Sequence, residues 1–312
     1  MPHRALPFLM ALLAISFPLP EMIAQEKKTK GKAAQQQELP APSKKIAYKK
    51  VGDKEFNLHI FTSDSDKKGV LRPCIVFFFG GGWASGDPKQ FYSQCRTLAD
   101  LGMVAISAEY RVSSRDNSKV IDSVADAQDA FAFVRANANQ LGIDPNKIAA
   151  GGGSAGGHLA ATLATLAYRG SVPDRRAEDY LPNALVLFNP AVVLAPTGGA
   201  NDSELETLTK NLRDRLGDDA TKVSPYHQMA KQLPPAIIFH GKSDVTVPYW
   251  SVEAFQKKAT SLGSTCQLVG YEGEAHGFFN LGKPKYQPVR EEMIRFLKQQ
   301  NFIASNSQES PK

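Results

Sequence analysis

Cysteine is scarce, with three residues in 312, and an odd number cannot all pair internally. A dense cystine framework and a paired-cysteine zinc motif are therefore excluded. Whether any two of Cys74, Cys95 and Cys266 join is left open, with buried free thiols the simpler expectation. The six histidines fall at no metal-ligand spacing and no GxxxxGK[ST] loop occurs, so no metal and no nucleotide or other cofactor is implied. Long apolar runs are missing except from Ala5 to Leu19, which Pro7 and Pro18 interrupt and which is too short to span a bilayer. With His3 and Arg4 before it and Ala24 after it, residues 1–24 read as a cleavable export signal, although Met22 leaves the cut itself open. A soluble exported protein, periplasmic or extracellular, is expected.

An excess of one charge is also absent from most of the chain. The formal net charge of +6 invites a nucleic-acid or membrane partner. Residues 1–50, however, carry nine Lys or Arg against three Glu, which leaves residues 51–312 balanced at zero. Residues 25–45, rich in Lys, Gln, Ala and Pro, cannot bury enough surface to offset their ordering entropy and read as a disordered basic linker. A weak electrostatic hold on an acidic surface is the alternative role for that linker. No nucleic-acid partner is expected, and the oligomeric state is not encoded in any legible way.

What is present is a regular alternation. Extended runs around Tyr48–Val51 and Phe56–Phe61 flank Gly52-Asp53 as a hairpin. Pro73–Phe79, Met103–Ser107, Lys147–Ala150, Ala184–Phe188, Ala236–His240 and Thr265–Tyr271 read as strands. Helical patterns follow at Val120–Leu141, from the Ser154 turn to about Tyr168, at Val252–Leu262 and at Pro288–Gln299. Continuously apolar strands suit a sheet covered on both faces. The fold class expected for residues 46–302 is α/β, a mostly parallel central sheet flanked by helices, with the hairpin at an antiparallel edge. Residues 190–232 break the alternation and are expected to form a small, partly helical cap. Residues 303–312 read as a flexible tail.

The chemistry centres on Gly151-Gly152-Gly153-Ser154-Ala155-Gly156-Gly157-His158, between a strand and an alanine-rich helix. Gly152-x-Ser154-x-Gly156 is the pattern of a nucleophile elbow, although a phosphate-binding or purely structural turn can look the same. Functional groups in such sheets gather at the carboxyl ends of strands. Asp244 follows the strand Ala236–His240, and His276 follows Thr265–Tyr271. The order Ser, Asp, His is that of an α/β-hydrolase triad. His276 is assigned as the base that takes the Ser154 proton and returns it to the leaving alcohol, and Asp244 as the group that holds its tautomer. Glu272 and Glu274 are rivals for that role but would have to fold back sharply. His158 is expected to pack beneath the site, and His240 to be a hydrogen-bonded core residue. Gly80-Gly81-Gly82, after a central strand, can turn its N–H groups inward. Gly81, Gly82 and Ala155 are therefore the expected oxyanion donors. Trp83, Tyr249 and Trp250 lie near these loops as candidate substrate-stacking residues, with core packing their alternative.

FFFGGGWASGD, SAEYR (Ser107 to Arg111), GGGSAGGHLA, HGKSDVTVP and EAHGF together resemble the motif set of the α/β-hydrolase superfamily. Within it they are most similar to the esterase/lipase group related to hormone-sensitive lipase, especially its bacterial carbohydrate acetyl esterase and feruloyl esterase branch. The resemblance covers about residues 45–300. It implies carboxylic-ester hydrolysis by Ser154, Asp244 and His276, with Gly81, Gly82 and Ala155 as donors and no cofactor. Two positions depart from the group: Phe79 stands where a histidine usually precedes the glycines, and Gly153 where lipase-like members carry Asp or Glu. The first leaves the anchoring of the oxyanion loop open. The expectation is an exported serine esterase acting on a small ester or an acylated carbohydrate, the acyl group being acetyl or feruloyl. A lipase or peptidase of the same fold and a non-catalytic binding protein of that fold are the alternatives.

Overall fold

Residues 72–78 and 104–108 are apolar at nearly every position, and such runs can be satisfied only where both faces of a strand are covered. In the computed structural model, which describes residues 38–63, 69–166, 176–217 and 220–304, they lie inside an eight-stranded sheet. The signal segment 1–24, most of the linker 25–45 and the end of the tail 303–312 fall outside the described residues. The strands are β1 (Lys44–Val51), β2 (Lys54–Phe61), β3 (Arg72–Phe78), β4 (Val104–Ala108), β5 (Ile143–Gly153), β6 (Ala184–Phe188), β7 (Ala236–Gly241) and β8 (Cys266–Tyr271). Their order across the sheet is β1-β2-β4-β3-β5-β6-β7-β8. β1 pairs antiparallel with β2, and β2 antiparallel with β4; all the other pairings are parallel. The α/β-hydrolase architecture expected from the sequence is the one observed.

The pleat sorts side chains between two cores. Cys74, Val76 and Phe78 point into one core, beneath the helices Val120–Ala136, Ala155–Thr165 and Tyr249–Ser261. Ile75 and Phe77 point into the other, with the helices Tyr92–Asp100 and Tyr286–Gln299. All three cysteines are buried free thiols. Several helix ends differ from the sequence expectation: the helix after Ser154 ends at Thr165 rather than about Tyr168, and the one expected at Val252–Leu262 spans Tyr249–Ser261. Val120–Ala136 stops before Leu141 because the Asn137 side chain donates back to the Phe133 carbonyl and the chain turns into β5. The last helix begins at Tyr286 rather than Pro288, since proline is tolerated in a first turn whose N–H groups have no helical acceptor.

The chain leaves β3 for β4 on one side and leaves β5 for β6 on the other, so the direction of the crossovers reverses between β3 and β5. The loops after β3 and β5 therefore diverge around a crevice at the carboxyl end of the sheet. The glycine loop 80–82 and Ser154 are the residues at that place. Between β6 and β7, residues 190–232 form the expected insertion, with its longest helix at Asp202–Thr209.

Candidate active site

The elbow is built by close approach. A Cβ at Gly152 would overlap the Gly156 carbonyl, and one at Gly156 would overlap the Phe78 carbonyl, so only glycine lets the strand, turn and helix nest against β3. Ser154 carries the resulting strain, with φ +54° and ψ −117°, a backbone region costly for a residue with a side chain. A Cβ at Gly153 would sit 2.5 Å from Phe279 Cζ. The aromatic ring fills the space that an acidic side chain would need, which is the physical reason for the glycine there.

Ser154, Asp244 and His276 come from three different strand ends and are brought together. His276 Nδ1 lies 2.7 Å from Asp244 Oδ2, and His276 Nε2 lies 2.9 Å from Ser154 Oγ. A carboxylate can only accept, so Nδ1 carries the proton and Nε2 is free to accept from the serine hydroxyl. Asp244 Oδ1 accepts from the N–H groups of Thr246 and Val247, each at 2.9 Å. Burial alone would raise the Asp244 pKa, but hydrogen bonds from His240, His276 and the Val247 N–H outweigh it and hold the carboxyl well below its usual range. His240 Nε2 lies 2.7 Å from the Val247 carbonyl and 3.4 Å from Asp244 Oδ2, so this core histidine also steadies the carboxylate. Glu272 points elsewhere and pairs with Lys242 at 2.5 Å.

On the oxyanion side, none of the hydrogen bonds among the described residues uses the N–H of Gly81, Gly82 or Ala155. Gly82 and Ala155 share the wall of a cavity with Ser154. The glycine loop is held from outside. Tyr110 Oη donates to the Phe79 carbonyl at 2.7 Å, and Arg215 Nη1 in the insertion donates to the Gly82 carbonyl at 2.5 Å. His158 is fully buried, with burial pushing its pKa down to about 4 although its bond to the Val223 carbonyl opposes the shift. Neutral at ordinary pH, it donates from Nε2 to Val223 and accepts the Trp83 indole N–H at Nδ1. It packs beneath the site and braces Trp83.

The cavity beside Ser154 has a volume of about 130 Å³. Its far wall comes from the insertion, chiefly Leu205, Leu208 and Leu212, with Val193 and Leu194 on the approach from β6. Sequence reasoning missed these residues; the i, i+3, i+7 spacing of the three leucines was the signal available. Of the three candidate stacking residues, Trp83 lines the cavity, though only 3% exposed. The other two lie outside this cavity's wall. Tyr249 is not among the lining residues; it meets His240 edge-on and lies under Lys242 Nζ. Trp250 donates its indole N–H to Glu204 Oε2 at 2.9 Å, which ties the insertion to the body of the domain. No group of three or more His, Cys, Asp or Glu among the described residues is arranged to hold a metal ion.

The BD-FAE family model matches residues 58–259, and a dienelactone hydrolase family model matches residues 219–302. Among curated proteins, Esterase LipC of Mycobacterium tuberculosis is 29% identical over 245 residues, covering 73% of this chain and 58% of LipC. The chain thus spans little more than half the length of that relative. Among solved structures, esterase 2 of Thermogutta terrifontis phosphorylated by paraoxon is 42% identical, with a TM-score of 0.76, covering 86% of this chain and 98% of that one. The propionate-bound form of that thermophilic esterase is 44% identical, with a TM-score of 0.77 and coverage of 85% and 96%. Its butyrate-bound form is 43% identical, with a TM-score of 0.78 and the same coverage.

Proposed function

The chain belongs to the BD-FAE family, and we propose that it acts as a serine carboxylic-ester hydrolase that removes short acyl groups from carbohydrate or small alcohols. The observation that carries this reading is the continuous hydrogen-bonded line from Asp244 through His276 to the Ser154 hydroxyl, beside a small apolar cavity. Ser154 Oγ attacks the ester carbonyl while His276 Nε2 takes its proton. The N–H groups of Gly81, Gly82 and Ala155 hold the oxyanion of the tetrahedral intermediate, each donor contributing roughly 3 kcal/mol. His276 returns the proton to the leaving alcohol as the acyl-enzyme forms, and water then repeats the sequence to release the acid.

Acyl size follows from volume. A cavity of about 130 Å³ is comparable to the ~150 Å³ engineered cavity that binds benzene. It suits acetyl to butyryl, in keeping with the propionate and butyrate bound by the Thermogutta terrifontis esterase. A feruloyl group, with a substituted ring and a propenoyl arm, is much larger, so the acetyl branch is favoured. Export rests on the signal-like segment 1–24, and recovery of a processed chain outside the cytoplasm of expressing cells checks it.

The test of function is initial rates on 4-nitrophenyl acetate, butyrate and decanoate, acetylated xylan and methyl ferulate, each beside Ser154→Ala. Serine-dependent turnover that falls steeply beyond butyrate is expected. A folded protein that turns over none of them, or a Ser154→Ala variant as active as the parent, overturns the reading.

A further inference from the structure

Phe79 occupies the position where the resemblance calls for a histidine, and its ring stacks on Tyr110 with centroids 4.1 Å apart. An aromatic hydrocarbon cannot anchor the glycine loop through a hydrogen bond, so the polar anchor must come from elsewhere. The first glycine N–H, that of Gly80, donates to Gln90 Oε1 at 2.6 Å. Gln90 lies in the short 3-10 helix Pro88–Phe91. Its Nε2 donates to Asn280 Oδ1 at 2.9 Å, across 190 residues of sequence. Asn280 Nδ2 donates in turn to the carbonyl of Gly277 at 2.9 Å, the residue after His276. The N–H of Gly277 is held by the buried Asn189 Oδ1 at 3.0 Å. Each amide uses its oxygen on one side and its nitrogen on the other, so flipping either one breaks two bonds at once. The direction of the line is therefore fixed.

We propose that Gln90 and Asn280 are positioning residues, a two-amide strut that sets the oxyanion loop against the His276 turn so that donors and base keep one registry. The inference rests on the proposed ester hydrolysis at Ser154. Neither side chain touches the reacting atoms. Their effect is transmitted through Gly80 to the next two N–H groups, and through Gly277 to the imidazole. Donor placement matters most when the oxyanion exists, so the strut acts on the transition state more than on ester binding. A shift of the loop relative to the histidine lowers kcat and leaves KM nearly unchanged.

The experiment is a double-mutant cycle with Gln90→Ala, Asn280→Ala and the double variant. Steady-state rates on 4-nitrophenyl acetate are measured beside the parent and Ser154→Ala, with melting temperature recorded for each. Expected for each single variant is a kcat 10- to 100-fold lower with KM within threefold. The double variant is expected to fall within threefold of the weaker single, since one cut already severs the line. A second readout is inhibition by an alkyl boronic acid, whose tetrahedral anion occupies the donors. Its affinity should fall in parallel with kcat, which a loss of general stability does not produce. The strut is overturned if the folded single variants keep kcat within twofold of the parent, if their losses multiply in the double variant, or if boronate affinity is unchanged. A parent without Ser154-dependent turnover refutes instead the hydrolase reading, so the two failures are distinguishable.

Discussion

From Ile148 to Ala164 every residue except Ser154 is buried, whereas in the insertion helix Asp202–Thr209 only Leu205 is. The elbow is held on all sides by backbone and aromatic rings at contact distance, and its serine pokes out of that packing. The insertion is a series of short helices that sinks single residues, Val192, Leu205, Leu216, Val223 and Met229, into the core and is tied at its edges by polar bonds, Trp250 to Glu204 and Arg215 to the Gly82 carbonyl. The nucleophile needs a strained, fixed backbone, which close packing enforces. The cavity beside Ser154 needs only a wall of suitable shape, which Leu205, Leu208 and Leu212 supply. The Ser154 turn and the cavity wall are thus placed on parts of the molecule with different tolerance to change.

The comparison can be broken most severely at the nucleophile. Ser154→Ala is expected to lower kcat by about 10⁶-fold while the fold survives, because the oxyanion donors give only residual catalysis. Rates together with circular dichroism check this. Asp244→Asn removes the acceptor that keeps the proton on His276 Nδ1, and a loss of about 10⁴-fold in kcat is expected. Gly152→Ala drives a methyl group into the Gly156 backbone and is expected to cost about 3 kcal/mol or more, read by urea unfolding. An equal insertion of volume on the cover side, as in Leu208→Phe, should leave unfolding nearly unchanged.

A smaller effect probes the seam between the two regions, where His158 bonds to Val223 in the insertion. Its pKa falls from 6.5 to about 4 on folding, so the unfolded chain takes up the proton first. This contribution is fully present above about pH 6.5 and is lost as pH falls toward 4, to a limit of about 3 kcal/mol. Below that it changes no further, and acid sensitivity then passes to Asp244, whose depressed pKa makes stability fall again at lower pH. His158→Asn should flatten the upper part of the profile in denaturant titrations at successive pH values. The smallest effect belongs to the cover itself. Leu208→Ala enlarges the cavity and is expected to move the butyrate-to-acetate rate ratio by about 10-fold, the usual worth of a methylene or two in an apolar pocket.

Much of this was legible before any coordinates because it is local. The glycines around Ser154 permit one turn, the buried strands announce themselves by uninterrupted apolar runs, and Asp244 and His276 each lie a few residues past such a run. His158 four residues after Ser154 could be placed beneath the site by helical spacing alone. Tyr249 and Trp250 lie off the cavity wall for the opposite reason. Nearness in sequence to the Asp244 loop says nothing about which side of the helix Tyr249–Ser261 faces the cavity, and the helix directs Ser251 there instead.

The sequence by itself determined the sheet, the elbow and the order of Ser154, Asp244 and His276 at strand ends, since each depends on contacts among neighbours along the chain. Only the tertiary structure decided the wall of the cavity beside Ser154, the bracing of Trp83 by His158 and the anchoring of the glycine loop. Those contacts join residues far apart, such as Gln90 with Asn280 and Gly82 with Arg215. Amides and arginines have no periodic signature, and their partners exist only once the hydrophobic cores have closed and brought the loops to one edge of the sheet.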